Sequence, residues 1–223
     1  MRRRQPGNTL PTLWLISDAR NDAVLERAIA RMPLGSGLVF RHYHLDPRAR
    51  RARFDRLAKL MRIRGGVIVL AGDTAQARRW RADGCYGAPV GGAGYGLIRL
   101  LTVHDAKELL RANLRSAVLR RTPEPRSQIA RHSPLDSGFG RKTDTGSTLA
   151  LISPVFPTRS HPGDKTLGAA RFAALARLSR LPVIPLGGMT RRRARQIAAT
   201  INGWAAIDGL SASQAVSGCK RQA

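Results

Sequence analysis

Short runs rich in aliphatic and β-branched residues alternate with helix-patterned stretches along this chain, and that rhythm constrains the fold more than any other feature. The strand-length runs are Leu13 to Ser17, Gly37 to His42, Gly66 to Ala71, Gly84 to Tyr86, Leu97 to Thr102, Leu149 to Ser153, Pro182 to Leu186 and Gly203 to Ile207. Helical patterns fall between them at Asp22 to Met32, Arg48 to Arg64, Thr74 to Arg81, Asp105 to Asn113, Leu167 to Arg180 and Thr190 to Thr200. Several runs are apolar throughout, as strands covered on both faces are. Such alternation is the mark of parallel βα units joined by crossover helices. With 223 residues the chain is slightly short for it, yet the pattern predicts one (β/α)8 TIM barrel as a single domain.

One segment breaks the rhythm. From about Leu114 to Thr148 turn formers and charge replace periodicity, so an irregular, disordered insertion is expected between the fifth and sixth strands. The barrel then occupies residues 13–210, with a basic tail over 1–12 and a second tail over 211–223. Hydrophobic residues make up 43% of the chain, enough to form a core. No apolar run approaches the ~20 residues that span a bilayer, and the start lacks the layout of an export signal. Cys85 and Cys219 are too few for a disulfide framework. A cytoplasmic protein without a membrane partner is expected.

The formal net charge of +25 attracts attention because basic surfaces bind nucleic acid and phosphorylated molecules. Of the 39 basic residues only Lys59, Lys107, Lys142, Lys165 and Lys220 are lysines. Aromatic residues are not interleaved with the arginines, and no RNA- or DNA-binding motif stands out. We therefore read most of this charge as solvated helix faces, with nucleic acid kept as the partner of an alternative reading.

Two loops carry the chemistry. Ser153-Pro154-Val155-Phe156-Pro157-Thr158-Arg159-Ser160-His161-Pro162-Gly163 follows the sixth strand, where hydroxyls and backbone N–H groups can hold a phosphate at the functional end of a barrel. Leu186-Gly187-Gly188-Met189-Thr190 follows the seventh and opens a helix, so backbone can approach a phosphate closely. The arginines after Thr190 oppose the helix dipole unless an anion neutralises them. Asp105 and Glu108 form a capping-box pattern beside His104, which is read as structural. His42 and His44 share one face of a strand extension, a metal-ligand spacing that lacks a third ligand. The Gly91-Gly92-Ala93-Gly94-Tyr95-Gly96 run precedes a strand rather than opening a helix, so it is read as a flexible loop and not a dinucleotide fingerprint.

These two loops, with Leu167-Gly168, Arg171-Phe172 and Gly203-Trp204-Ala205-Ala206-Ile207, resemble the thiamine phosphate synthase and TenI superfamily. The resemblance is dense over 149–210 and looser but collinear over 13–109. It implies an enzyme of thiamine biosynthesis, a transferase in which the nitrogen of a thiazole phosphate displaces diphosphate from hydroxymethylpyrimidine diphosphate with Mg2+ present. By the same resemblance Thr158, Ser160, Gly187 and Gly188 bind substrate phosphate. Arg41 falls on the arginine of the Gln-x-Arg-x-Lys element, and Asp73 falls on the magnesium-side Asn-Asp.

The chain also departs from that pattern. Val39, Tyr43, Gly72 and His161 replace a glutamine, a lysine, an asparagine and a lysine. The fourth strand ends Tyr86-Gly87-Ala88-Pro89 without a carboxylate, and Asp208 stands where a phosphate-contacting serine is expected. The diphosphate and magnesium half of the site is thinned. The expected catalytic residues are Arg41 and His161, the latter as proton carrier in the alternative of a TenI-like thiazole tautomerase. A third alternative is a non-catalytic barrel that binds a phosphorylated ligand or RNA.

Overall fold

The computed structural model describes residues 10–87, 96–121, 147–158, 163 and 165–211. The strands are β1 (Leu13–Ile16), β2 (Gly37–Phe40), β3 (Val67–Ala71), β4 (Gly84–Tyr86), β5 (Ile98–Val103), β6 (Thr148–Ile152), β7 (Val183–Pro185) and β8 (Trp204–Ala206). All pair in parallel in one sheet of order β7-β6-β5-β4-β3-β2-β1-β8. Across the remaining seam between β7 and β8, Asn202 makes the link. Its backbone N–H donates to the Val183 carbonyl at 2.9 Å, and its side-chain Oδ1 accepts from the Val183 N–H at 2.9 Å. The result is a nearly closed (β/α)8 TIM barrel, as the alternation predicts.

The helices are α1 (Leu25–Arg31), α2 (Pro47–Ile63), α3 (Thr74–Arg79), α4 (Ala106–Arg121), α5 (Gly168–Leu178), α6 (Arg191–Gln196) and α7 (Asp208–Ser211). A 3-10 turn over Ala19–Val24 precedes α1 and takes over the first part of the helix expected from Asp22. Caps set the starts. Asp46 accepts from the N–H groups of Arg48 and Ala49 with Pro47 at the first helical position, and Asp73 accepts from Gln76.

The pleat divides the apolar residues between two environments. Trp14, Ile16, Val39, Val69, Leu100, Leu149, Leu151 and Ile184 fill the barrel interior. Their neighbours Leu15, Leu38, Leu70 and Ile152 face outward against the helices. Both faces are therefore buried, which is why the runs read as continuous rather than alternating. Gly37 makes room for the largest interior group, because a Cβ there would lie 2.2 Å from the Trp14 ring.

Two expected boundaries need correction. The helix after β5 continues past Asn113 to Arg121, so the first part of the stretch taken as irregular from Leu114 is helical. Asn113 does not end it: its side chain turns inward, donating to the Leu178 carbonyl at 3.0 Å and accepting from the Arg180 N–H at 2.9 Å, and Ser116 is buried one turn on. Residues 10–12, taken as the end of a tail, belong to the barrel. The Pro11 carbonyl accepts from Trp14 Nε1 at 2.9 Å, and the Thr12 carbonyl from the Trp204 N–H at 2.9 Å. The rest of both tails, residues 122–146 and the glycine run over 91–95 lie outside the described residues.

Replacing Gly37 with alanine should cost about 1–3 kcal/mol in urea unfolding, because the added methyl overpacks the interior. Combined with Trp14→Leu, the glycine substitution should cost less than it does alone. Strict additivity would show that the two residues do not compete for the same space.

Candidate active site

Because the strands are parallel, their carboxyl ends share one rim, and a cavity of about 900 Å³ opens there. Its wall is assembled from segments distant in sequence. Asp18 and Arg20 follow β1, and Arg41 and Tyr43 follow β2. Tyr86 ends β4, His104 follows β5, and Ser153, Pro154, Pro157 and Thr158 follow β6. Gly187, Gly188, Thr190 and Arg193 come from the β7 loop and α6, and Asp208 from the end of β8. Leu186, Met189 and Ile207 supply apolar surface.

The loops after β6 and β7 are joined by backbone hydrogen bonds. The Val155 N–H donates to the Leu186 carbonyl at 2.9 Å and the Phe156 N–H to the Gly187 carbonyl at 3.1 Å. Gly187 and Gly188 both have positive φ, 93° and 58°. Added Cβ atoms would lie 2.8 Å from Pro154 Cα and 2.3 Å from the Pro157 carbonyl oxygen. The paired glycines thus serve the close approach of one loop to another, besides leaving backbone open to a ligand. Arg193 folds back from α6 to donate to the Gly188 carbonyl, with its guanidinium 4.8 Å from the centre of the Phe156 ring. The arginine-rich first turn is therefore partly satisfied by the protein itself.

Charge in the cavity is balanced but not cancelled. Arg20 donates to Asp18 Oδ1 at 3.0 Å and approaches Asp208 Oδ2 at 3.7 Å, so it lies between the two carboxylates. Burial by itself would raise the Asp18 pKa, but the hydrogen bonds and charge of Arg20, with Arg41 behind, bring it below the usual carboxylate value. Asp208, which would repel a phosphate if alone, has Arg20 as a partner. Arg20, Arg41 and Arg193 thus face the cavity against Asp18 and Asp208, an arrangement that can hold an anion. Burial pushes the Tyr86 hydroxyl above its ordinary value, so it stays protonated as a donor at neutral pH.

Arg41 is held through its backbone. Its N–H donates to Ser17 Oγ at 2.9 Å, and its carbonyl accepts from Arg50 Nε at 3.1 Å. Arg50 also donates to the Ala71 carbonyl at 2.7 Å and lies against the rings of Phe40, Tyr43 and Trp80, so one guanidinium ties the ends of β2 and β3 together.

Of the residues singled out from sequence, Arg41, Thr158, Gly187 and Gly188 line this one cavity. Asp73 is not part of its lining; it is exposed, and its carboxylate caps α3 through the Gln76 N–H at 2.6 Å. Ser160 and His161 lie outside the described residues. Asp105 accepts from the Glu108 N–H at 2.8 Å as the expected N-cap, but the Glu108 carboxylate turns to the His104 N–H at 2.7 Å and its ring at 3.0 Å, and His104 also reaches the cavity wall. Sequence reasoning missed Arg20 and Tyr86, and flagged Arg193 only as one of the arginines after Thr190 that call for an anion. A signal existed for the first, since Ser17-Asp18-Ala19-Arg20 stands at the carboxyl end of a strand where barrel sites form.

Comparison with known proteins gives a consistent result. Residues 132–210 match the family model described as thiamine monophosphate synthase. A thiamine-phosphate synthase of Latilactobacillus sakei is 36% identical over 100 residues, which is 40% of this chain and 45% of that protein. The match thus spans less than half of that relative's length. The fold resembles a thiamine phosphate pyrophosphorylase from Pyrococcus furiosus at TM-score 0.67 and 17% identity, covering 93% of this chain and 90% of that one. A thiamine phosphate pyrophosphorylase from Bacteroides thetaiotaomicron aligns at TM-score 0.50 and 11% identity over 88% and 82% of the two chains.

Gly188→Ala should destabilise the protein more than Gly168→Ala. Both positions have positive φ, but only a Cβ at 188 meets backbone, whereas at 168 it meets open space. A difference of about 1–3 kcal/mol in thermal or urea unfolding is expected, and equal costs would mean that the two loops are not in tight contact.

Proposed function

We propose that the chain is a member of the thiamine phosphate synthase and TenI superfamily and a transferase joining hydroxymethylpyrimidine diphosphate to thiazole phosphate, a reading supported by the family-model match over residues 132–210 and by the 36% identical relative. The observation that carries this reading is the single cavity in which Arg41, Thr158, Gly187 and Gly188 meet at the carboxyl rim. In this reading Thr158 and the Gly187-Gly188 turn receive the thiazole phosphate, with Ser160 beside them in sequence. Arg41 faces the diphosphate, where charge develops as the carbon–oxygen bond breaks and the thiazole nitrogen forms its bond to carbon. Arg20 holds Asp18 and Asp208 so that neither carboxylate faces the anion unpaired. Tyr86 and the apolar wall of Leu186, Met189 and Ile207 are suited to the uncharged ring surfaces.

Mg2+ prefers one or two carboxylates together with phosphate oxygens and water. Asp73 is exposed, uses one oxygen on the α3 cap and lies outside the cavity lining, so it does not fit an ion held on a diphosphate beside Arg41. The positive charge that this chain itself brings to the opening is Arg41, with Arg20 and Arg193.

The direct test is to incubate the purified chain with both substrates and MgCl2 and to measure thiamine phosphate and released diphosphate together. Equal amounts of the two products are expected, and no product alongside no binding of thiazole phosphate would remove the proposal. Arg41→Ala should lower kcat/KM by roughly 10²–10³-fold, the scale seen when an oriented donor to developing charge is lost. Unchanged kinetics would take Arg41 out of the reaction.

A further inference from the structure

A second constellation stands apart from the cavity wall, between the 3-10 turn after β1 and the turn after β2. There Asp22, His42 and His44 bring one ligand atom each to within 4.8 Å of one another. His42 Nε2 and Asp22 Oδ1 are 2.7 Å apart, and the two imidazole rings lie 5.2 Å apart between centroids. The sequence offered only the histidine pair; the fold adds a carboxylate from a different strand end.

The arrangement is built rather than incidental. His42 has φ of 37°, a left-handed conformation uncommon outside glycine, and this turns its ring inward to stack on Phe40 at 4.6 Å. Its other nitrogen, Nδ1, meets Ser17 Oγ at 2.8 Å, and Ser17 Oγ in turn accepts from the Arg41 N–H. One ring nitrogen fixed by a hydrogen-bonding group while the other faces a carboxylate and a second imidazole is the outer-shell pattern of metal-binding histidines. His42 is buried, Asp22 is a third exposed and His44 is exposed, so the cluster has a rigid base and an open entrance.

We propose that Asp22, His42 and His44 form a binding site for a divalent transition metal of the zinc type, with water completing the coordination. Two imidazoles and one carboxylate suit zinc and its neighbours, whereas magnesium and calcium prefer oxygen ligands throughout. In the metal-binding tautomer the His42 ring proton sits on Nδ1 and is donated to Ser17 Oγ. The Nε2 lone pair then faces the metal, and no proton is lost from the ring. Arg53 donates to Asp22 Oδ1 at 2.7 Å and pairs with Glu26, which also meets Arg56 at 3.2 Å. Those contacts orient Asp22 and keep it ionised, and Glu26 offsets much of the guanidinium charge near the ion. The site does not depend on the proposed transferase reaction.

The test is calorimetric titration of the chelator-stripped full chain with ZnCl2 alone near neutral pH, followed by Co2+ absorption spectroscopy. One ion per chain at micromolar affinity is expected, with a cobalt spectrum lacking thiolate bands. His44→Ala, at an exposed position that leaves folding intact, should weaken binding at least 10–100-fold, and Ser17→Ala should weaken it by a similar order through the outer shell. His104→Ala should leave affinity unchanged. Absence of binding to the native chain, undiminished affinity in His44→Ala, or a thiolate band in the cobalt spectrum would each overturn the proposal.

Discussion

Closure of the parallel sheet is the constraint on which the rest of this molecule depends. Seven of the junctions between neighbouring strands are ordinary parallel ladders, and at the eighth Asn202 supplies both a backbone donor and a side-chain acceptor to Val183. An amide side chain mimics a peptide group there, so the seam is satisfied without a full ladder. Once the ring is closed, every strand delivers its carboxyl end to the same rim. The contact of Arg20, after β1, with Asp208, after β8, exists only because those strands are neighbours.

Around that rim the protein separates what holds the site from what faces a ligand. Arg50 is tucked among Phe40, Tyr43 and Trp80 with its donors on the carbonyls of Arg41 and Ala71. Its burial tends to lower its pKa, yet guanidinium remains charged at any ordinary pH. Arg41, one strand end away, is left to face the cavity. The ion pairs between Arg20, Asp18 and Asp208 are partly exposed, and such pairs add little to stability. Their effect is on the sign and direction of the local field. The β6 and β7 loops are joined through backbone hydrogen bonds and paired glycines, with the Pro157 carbonyl passing close over Gly188.

How much of this is visible in the residues varies from element to element. The eight strands were legible within a residue or two at most ends, because doubly covered strands must be apolar throughout and their turns must be polar. The end of α4 was not, since periodicity fades after Asn113, which becomes a buried link to the end of α5 only when the two helices pack. Arg41, Thr158, Gly187 and Gly188 stood out through loop chemistry and resemblance, and Arg193 through its place in the arginine-rich turn after Thr190, while Arg20 was lost among many arginines. Composition cannot tell a solvated arginine from one folded back over Phe156.

By itself the sequence determined the class of fold, the order of its strands and the loops most able to meet a phosphate. Those properties follow from local periodicity and turn chemistry, which each short stretch carries within itself. Only the tertiary structure decided that Asp208 has Arg20 as its partner, that Gly188 must be small because Pro157 passes over it, and that Asp22 joins His42 and His44. Each of these joins residues brought together by ring closure and the pleat, and a distance through space is not encoded in a spacing along the chain.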